Sequence, residues 1–269
     1  MKILFVGDIV GRPGRRALAH ALPRLVDKYE CEFVIANGEN AAAGFGLSRK
    51  VADEIFAAGV DVMTTGNHVW ADKEIFQLLG ETDRILRPAN FPLSNPGFGS
   101  GIYETKRGHT VGVINLIGRI FMDPVESPFL RGDEELAKVS GADAIIVDFH
   151  AEATSEKRAL GYYFAGRVSA VIGTHTHVMT CDEEILPGGT AYISDCGMAG
   201  PMGTVIGIEK EIALRRFLTG LPERFEVPKA GPALLSAVVV EVSLDNKAAL
   251  DIQRISLKLT ERNPDLVEL

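Results

Sequence analysis

Five times along this 269-residue chain, an apolar, largely β-type run ends in a short polar cluster. Lys2–Val6 leads into Gly7-Asp8, residues 32–36 into Gly38-Glu39-Asn40, and 60–64 into Gly66-Asn67-His68. Residues 144–149 lead into His150, and 170–172 into Gly173-Thr174-His175-Thr176-His177. Short continuous apolar runs of this kind read as buried strands. Helical patterns separate the first three. Residues 15–29 place Leu18, Leu22, Leu25 and Val26 on one side, and 49–58 follow Ser48 as an N-cap. The order β-α-β-α-β predicts a parallel sheet with helices on its faces. In open sheets of this type the functional crevice lies beyond the carboxyl ends of the strands, where all five clusters fall.

The rest of the chain extends this plan. A further helix is predicted over 72–79. Pro88, Pro92, Pro96, Gly97, Gly99 and Gly101 make 87–101 a loop, and 102–105 with 110–116 read as a hairpin or sheet-edge pair around Gly108. Residues 118–132 are irregular. Helices are predicted over 134–139 and 156–164, and a strand over 190–194. The alternating segment 233–244 and its partner 249–257 suggest a second sheet packed on the first. The expected fold is therefore α/β, a layered α/β/β/α sandwich with a mostly parallel first sheet and a second mixed sheet. It is expected as a single domain over 1–269, with 88–132 as the place for a cap or loop insertion.

Composition narrows the function classes. A net charge of −8, from 28 basic and 36 acidic residues, argues against broad binding of long nucleic acid, which needs many Lys/Arg–phosphate contacts. A nucleotide-sized ligand held through metal ions stays open. The three cysteines, Cys31, Cys181 and Cys196, have neither disulfide-framework nor zinc-ribbon spacing and read as reduced thiols. The start of the chain is too short for a signal peptide's apolar region, and no stretch approaches the ~18 apolar residues of a membrane span. A cytoplasmic protein without a membrane partner is expected.

Carboxylates and neutral imidazoles are the usual ligands of divalent first-row metals, and no cysteine falls in the five clusters. Taken singly, each residue has an ordinary explanation. Asp8 can shape the turn after the first strand, Glu39 and Asn40 can be loop residues, Asn67 can stabilise a turn, and His150 can be a buried hydrogen-bonded histidine. His175-Thr176-His177 is the strongest local signal, because i and i+2 share a face in extended chain. The conjunction carries the argument. Four of the 6 histidines (His68, His150, His175 and His177) sit in strand-end clusters, and His20 and His109 read as surface or helix-face residues. Asp8, Glu39, Asn67, His150, His175 and His177 are too many side chains for one metal that keeps an open position. They suit two metals sharing a carboxylate.

In this order the clusters resemble the calcineurin-like metallophosphoesterases, especially the YmdB-type branch of 2′,3′-cyclic nucleotide phosphodiesterases. The resemblance spans nearly the whole chain and includes residues 7–14 and 195–201. Val10 stands where the wider superfamily has a metal-binding histidine, Glu39 replaces its bridging aspartate, and Val69 replaces the acid after Asn-His. These departures favour the branch. By motif, the resemblance implies that Asp8, Glu39, Asn40 and His177 hold one metal and Glu39, Asn67, His150 and His175 the other. It implies iron or manganese; the ligand types alone also admit zinc or cobalt. His68 is then a general acid rather than a ligand.

The expected reaction is hydrolysis of a small phosphodiester or cyclic nucleotide. Two cations supply hydroxide near neutral pH, and His68 protonates the leaving alkoxide. Arg12, Arg119 and Gly197 are weaker candidates for substrate contact. Two alternatives keep the same residues: a phosphomonoesterase, or a regulatory protein of RNA metabolism with a mainly structural metal site. A Rossmann dehydrogenase is disfavoured, because residues 7–14 lack the G-x-G-x-x-G spacing. The sequence leaves room for a homo-oligomer.

Overall fold

The computed structural model describes residues 1–260 and, for the backbone alone, 263–268. In chain order the elements are β1 (Lys2–Val6), β2 (Asp8–Ile9), α1 (Gly11–Tyr29), β3 (Phe33–Asn37), α2 (Arg49–Ala57), β4 (Val62–Thr64) and α3 (Ile75–Glu81). Then come β5 (Ser100–Glu104), β6 (Thr110–Ile117), α4 (Pro128–Val139), β7 (Ala144–His150), α5 (Thr154–Phe164) and β8 (Ala170–Thr174). The chain continues through β9 (Glu184–Leu186), β10 (Thr190–Ile193), β11 (Met198–Pro201), α6 (Lys210–Thr219), β12 (Ala233–Val242), β13 (Ala249–Thr260) and β14 (Asn263–Glu268).

Two sheets form. One has the order β14-β13-β12-β1-β3-β4, with β11 paired to β12 and to β2; the other runs β5-β6-β7-β8-β10-β9. The layered two-sheet architecture is as expected, with one sheet mostly parallel and one mixed, but the strands are shared out differently. The parallel trio β1-β3-β4 continues into antiparallel β12 and β13, so the late strands join the first sheet instead of forming the second. The mostly parallel sheet is the one holding β6, β7, β8 and β10. The reason is the apolar character of β1 on both faces. A strand buried on both sides needs a partner at each edge, and β12 supplies the second one.

Period-2 alternation divides the core into layers. Leu4 and Val6 of β1 pack with Leu18, Leu22 and Leu25 of α1 and with Ala52 and Ile55 of α2 on the outer face of the first sheet. Ile3 and Phe5 point the other way, against Val113, Ile146 and Ile172 between the sheets. The outer face of the second sheet packs Ile145, Val147 and Phe149 of β7 against Leu160 and Phe164 of α5. The alternation in β7 therefore leaves Asp148 and His150 on the inter-sheet face.

Some local expectations shift. α1 begins at Gly11 rather than at residue 15, with Pro13 in a first turn where its missing N–H costs nothing. Ser48 has the extended backbone of an N-cap but makes no side-chain cap hydrogen bond. α4 starts earlier than predicted, with Pro128 in its first turn. β2, β9, β11, β14 and α6 are additional to the expected elements.

Candidate metal centre

Parallel pairing brings the carboxyl ends of β1, β3, β4, β7 and β8 to one edge of the two-layer core, and the polar clusters meet there. Asp8, Glu39 and His150 are all fully buried (0% exposed). Glu39 is central. Its Oε1 lies 3.2 Å from His150 Nε2 and 3.2 Å from His68 Nδ1, and accepts a hydrogen bond from Asn40 Nδ2 at 3.0 Å. Its Oε2 accepts the His68 backbone N–H at 3.0 Å. Asn67 Oδ1 and His175 Nδ1 each lie 3.0 Å from His150 Nε2. On the other side, His177 Nε2 is 3.2 Å from Asn40 Nδ2 and 3.8 Å from Asp8 Oδ1. All seven residues expected as metal ligands are thus in one cluster, with His68 at its rim.

The ring nitrogens are oriented from behind. His150 Nδ1 lies 3.0 Å from Thr174 Oγ1, whose hydroxyl donates to Asp148 Oδ1 at 2.7 Å. Asn37 Nδ2 donates to the other Asp148 oxygen at 3.1 Å. This relay fixes Nδ1 as the donor and turns Nε2 inward, a common arrangement behind metal-binding imidazoles. His177 Nδ1 faces the Ile206 carbonyl at 2.7 Å, which leaves its Nε2 toward Asp8. His175 Nε2 lies 3.2 Å from Glu152 Oε2, so Nδ1 is its inward atom. The supporting roles of Asp148, Thr174, Asn37 and Glu152 were not predicted from the sequence. Asp148 and Thr174 each lie within two residues of a candidate ligand, on or beside the same strand ends, and that proximity was the available signal.

His175 and His177 do not share a face in extended chain as expected. β8 ends at Thr174, and both histidines have left-handed backbones, with φ of 101° and 64°. The turn sends one imidazole toward His150 and the other toward Asn40. Left-handed backbone at non-glycine residues is costly and persists only where the surroundings impose it. Here Asp8 Oδ2 accepts the His175 N–H and Asp195 Oδ2 the Thr176 N–H, each at 3.0 Å. Lys157 and Asp195, each 1% exposed, form an ion pair at 2.7 Å, and Asp195 Oδ1 also accepts the Gly197 N–H at 2.8 Å.

Three observations show that the cluster fits metal ions. Asp8 Oδ1 is buried without a hydrogen-bond partner, although buried polar atoms are normally satisfied. Donor atoms of Glu39, His150 and His175 lie within 4.8 Å of one another. Gly66 preserves the space, since a Cβ there would lie 2.2 Å from His150 Cδ2 and 2.4 Å from Glu39 Oε2. The electrostatics agree. Burial raises the Asp8 carboxyl above its ordinary range despite His177 and His150. Burial acts the same way on Glu39, but His150 and His68 outweigh it and hold that carboxyl low. Burial opposes a charge on His150, yet Glu39, Asp8 and Asp148 push it up to about 9. Burial and the neighbouring His150 push His175 down to about 3. A divalent cation suits such a site, because it balances the buried carboxylates while leaving imidazole lone pairs as ligands.

A cavity of about 400 Å³ opens onto the cluster. Glu39, Asn40, His68, His175 and His177 line its polar side, and Val10, Phe45, Ile206, Ile208 and Phe225 its apolar side. The side chain of His68 is 34% exposed, and its ring meets Phe45 edge-on with centroids 4.8 Å apart. The three weaker candidates lie elsewhere. Arg12 lines a neighbouring cleft. Arg119 is exposed, and its backbone N–H donates to Glu156 at 3.0 Å. Gly197 is buried, with φ of 79°, and its carbonyl accepts the Asp8 N–H at 3.0 Å. Val10 borders the cavity and Val69 is in the core, so neither departure from the wider superfamily supplies a ligand. No helix among the described residues is long and apolar enough to cross a membrane.

Comparison with known proteins follows the same lines. The family model described as "YmdB-like protein" matches residues 4–255. The 2′,3′-cyclic-nucleotide 2′-phosphodiesterase of Bacillus subtilis (strain 168) is 48% identical over 256 residues, covering 95% of this chain and 96% of that protein. A crystal structure of a hypothetical protein from Thermus thermophilus superposes with a TM-score of 0.90 at 43% identity, over 96% of this chain and 99% of the other. The crystal structure of a novel phosphatase from Mycoplasma pneumoniae gives a TM-score of 0.90 at 38% identity, over 97% and 95%.

Proposed function

Because the chain belongs to the YmdB-like protein family, we propose that it is a metal-dependent phosphodiesterase that hydrolyses 2′,3′-cyclic nucleotides. The observation that carries this reading is the convergence of Asp8, Glu39, Asn40, Asn67, His150, His175 and His177, with the unpartnered Asp8 oxygen and the space kept by Gly66. Asp8, Glu39, Asn40 and His177 would hold one cation, and Glu39, Asn67, His150 and His175 a second. When bound, such cations would lower the pKa of coordinated water and stabilise charge on the phosphate oxygens.

The chain's own residues do the rest. Glu39 Oε1, among His68, Asn40 and His150, is the natural shared carboxylate. His68 Nδ1 is held 2.8 Å from Asn40 Oδ1, which frees Nε2 for the substrate. From there a protonated His68 can deliver its proton to the departing ribose oxygen. Breaking the bond to O2′ leaves a 3′-phosphate. The apolar side of the cavity, with Phe45 and Phe225, suits a nucleobase, whereas an inorganic or small anionic ligand would not need it. The cations are read as iron or manganese and the compartment as cytoplasmic.

Metal analysis combined with turnover tests this reading. Purified protein should carry two transition-metal ions per chain and hydrolyse adenosine 2′,3′-cyclic phosphate in preference to the 3′,5′ isomer. Turnover of p-nitrophenyl phosphate above bis(p-nitrophenyl) phosphate would instead favour a phosphomonoesterase on the same site.

A further inference from the structure

A second cleft of about 330 Å³ adjoins the metal-site cavity and has a different character. The two are neighbours residue by residue. Val10 and Gly44 line the first, Gly11 and Ala43 the second, and Phe225 lines both as the partition between them. Arg12, Arg224 and Lys229 reach the second cleft from two separate segments, opposed by one carboxylate, Glu226. All three cations are exposed, and none has an ion-pair partner among the described residues. The chain carries eight more acidic than basic residues, so three such cations around one concavity stand out against its overall field.

The partition is anchored. The Arg216 guanidinium lies 4.5 Å from the centre of the Phe225 ring. Val227, two residues on, packs where a Cβ on Gly44 would come within 2.4 Å of its Cγ2. The segment carrying Arg224 and Lys229 is therefore seated on the loop that supplies Glu39 and Asn40. Arg12 stands in the first turn of α1, which holds no acidic residue.

We infer that this cleft is an anion subsite for a phosphate on the 5′ oxygen of the nucleotide whose cyclic phosphate lies at the metal centre. The inference rests on the cyclic-nucleotide reading. A base against Phe225 with its cyclic phosphate at the metal ligands would direct the 5′ side of the sugar past the partition, since Phe225 lines both clefts. Arginine guanidinium groups suit phosphate there through charge-assisted hydrogen bonds. The 5′ phosphate can be the monoester of a single nucleotide or the diester of a short oligonucleotide.

Two measurements test this on metal-loaded full-length protein. In calorimetry, adenosine 3′,5′-bisphosphate should bind about tenfold tighter than adenosine 3′-phosphate, an advantage that shrinks with salt as exposed charges are screened. In turnover, 5′-phosphoadenosine 2′,3′-cyclic phosphate or the dinucleotide ApA 2′,3′-cyclic phosphate should exceed adenosine 2′,3′-cyclic phosphate in kcat/KM. Whichever gains identifies the monoester or the diester as the source. The double variant Arg224→Ala/Lys229→Ala should bring both ratios toward one. Equal affinities in the wild type, or a ratio the double variant leaves intact, would overturn the subsite. If adenosine 2′,3′-cyclic phosphate is not hydrolysed while the two product analogues still differ in affinity, the subsite stands and the reaction assigned to the neighbouring site falls.

Discussion

His68 and His150 belong to one cluster, yet their surroundings differ. His150 is fully buried, its Nδ1 backed by Thr174 and Asp148, and its Nε2 faces Glu39, Asn67 and His175. His68 stands at the rim of the cavity, pinned through Nδ1 by Asn40, with its ring edge-on to Phe45. A ligand must be held from behind, and a proton donor must reach the substrate. His68→Ala should therefore keep its metal content while turnover falls by ~10²–10⁴-fold, the usual worth of general acid catalysis. Metal analysis and kcat on the same preparation check this. Loss of the metals in that variant would reassign His68 as a ligand.

At the scale of elements, the turn after β8 is the demanding feature. It holds two consecutive-but-one histidines in left-handed conformation, and the Asp195 carboxylate that accepts the Thr176 N–H is itself neutralised by buried Lys157. Removing one member of a buried pair leaves the other charge uncompensated, at a cost of roughly 3–5 kcal/mol. Lys157→Met should lower the melting temperature by roughly 10 °C, given ~2–4 °C per kcal/mol in domains near this size. It should also weaken metal affinity through His175 and His177. Lys157→Met combined with Asp195→Asn should recover much of the stability, because the stranded charge is gone. A melting curve unchanged by the single substitution would show that the pair does not hold the turn. Much of this scale was legible beforehand. β1, α1, α2 and β7 announce themselves through apolar periodicity, because each buries a regular face. β11, a four-residue strand of Met, Ala, Gly and Pro, carries no such periodicity; its pairing with β2 and β12 alone makes it a strand.

For the whole molecule, the carboxyl ends of two sheets meet over a pair of buried carboxylates, and that arrangement ties stability to metal. Asp8 and Glu39 are fully buried, so cations at this edge bind the folded chain far better than the unfolded one. Free metal at about 100-fold above its dissociation constant should add about 2.7 kcal/mol of stability. Chelation should accordingly lower the melting temperature by several degrees, and readdition of manganese or iron should restore it. The pH dependence has a definite sign. Imidazoles bind metal only when neutral, so affinity should fall as pH drops and protons compete for His150, which, despite burial, its carboxylate neighbours push up to about 9. Differential scanning calorimetry with and without chelator, and metal occupancy measured down to pH 4, check both statements. Full occupancy at pH 4 would mean that His150 is not a ligand.

The amino-acid sequence by itself determined the α/β class, the strand-end position of the polar clusters and the seven ligand candidates. These are local properties: apolar runs set strands, and residues immediately after a strand must lie at its end. Only the tertiary structure decided which sheet the late strands join, because that depends on which edge of β1 needs covering. It likewise decided that His175 and His177 diverge through a left-handed turn. The supporting groups Asp148, Thr174, Glu152 and Asp195, and the cations gathered across Phe225, also emerged only there. Their contacts join residues far apart in the chain, so nearness in sequence to a candidate ligand could mark Asp148, Thr174 and Glu152 without giving their partners.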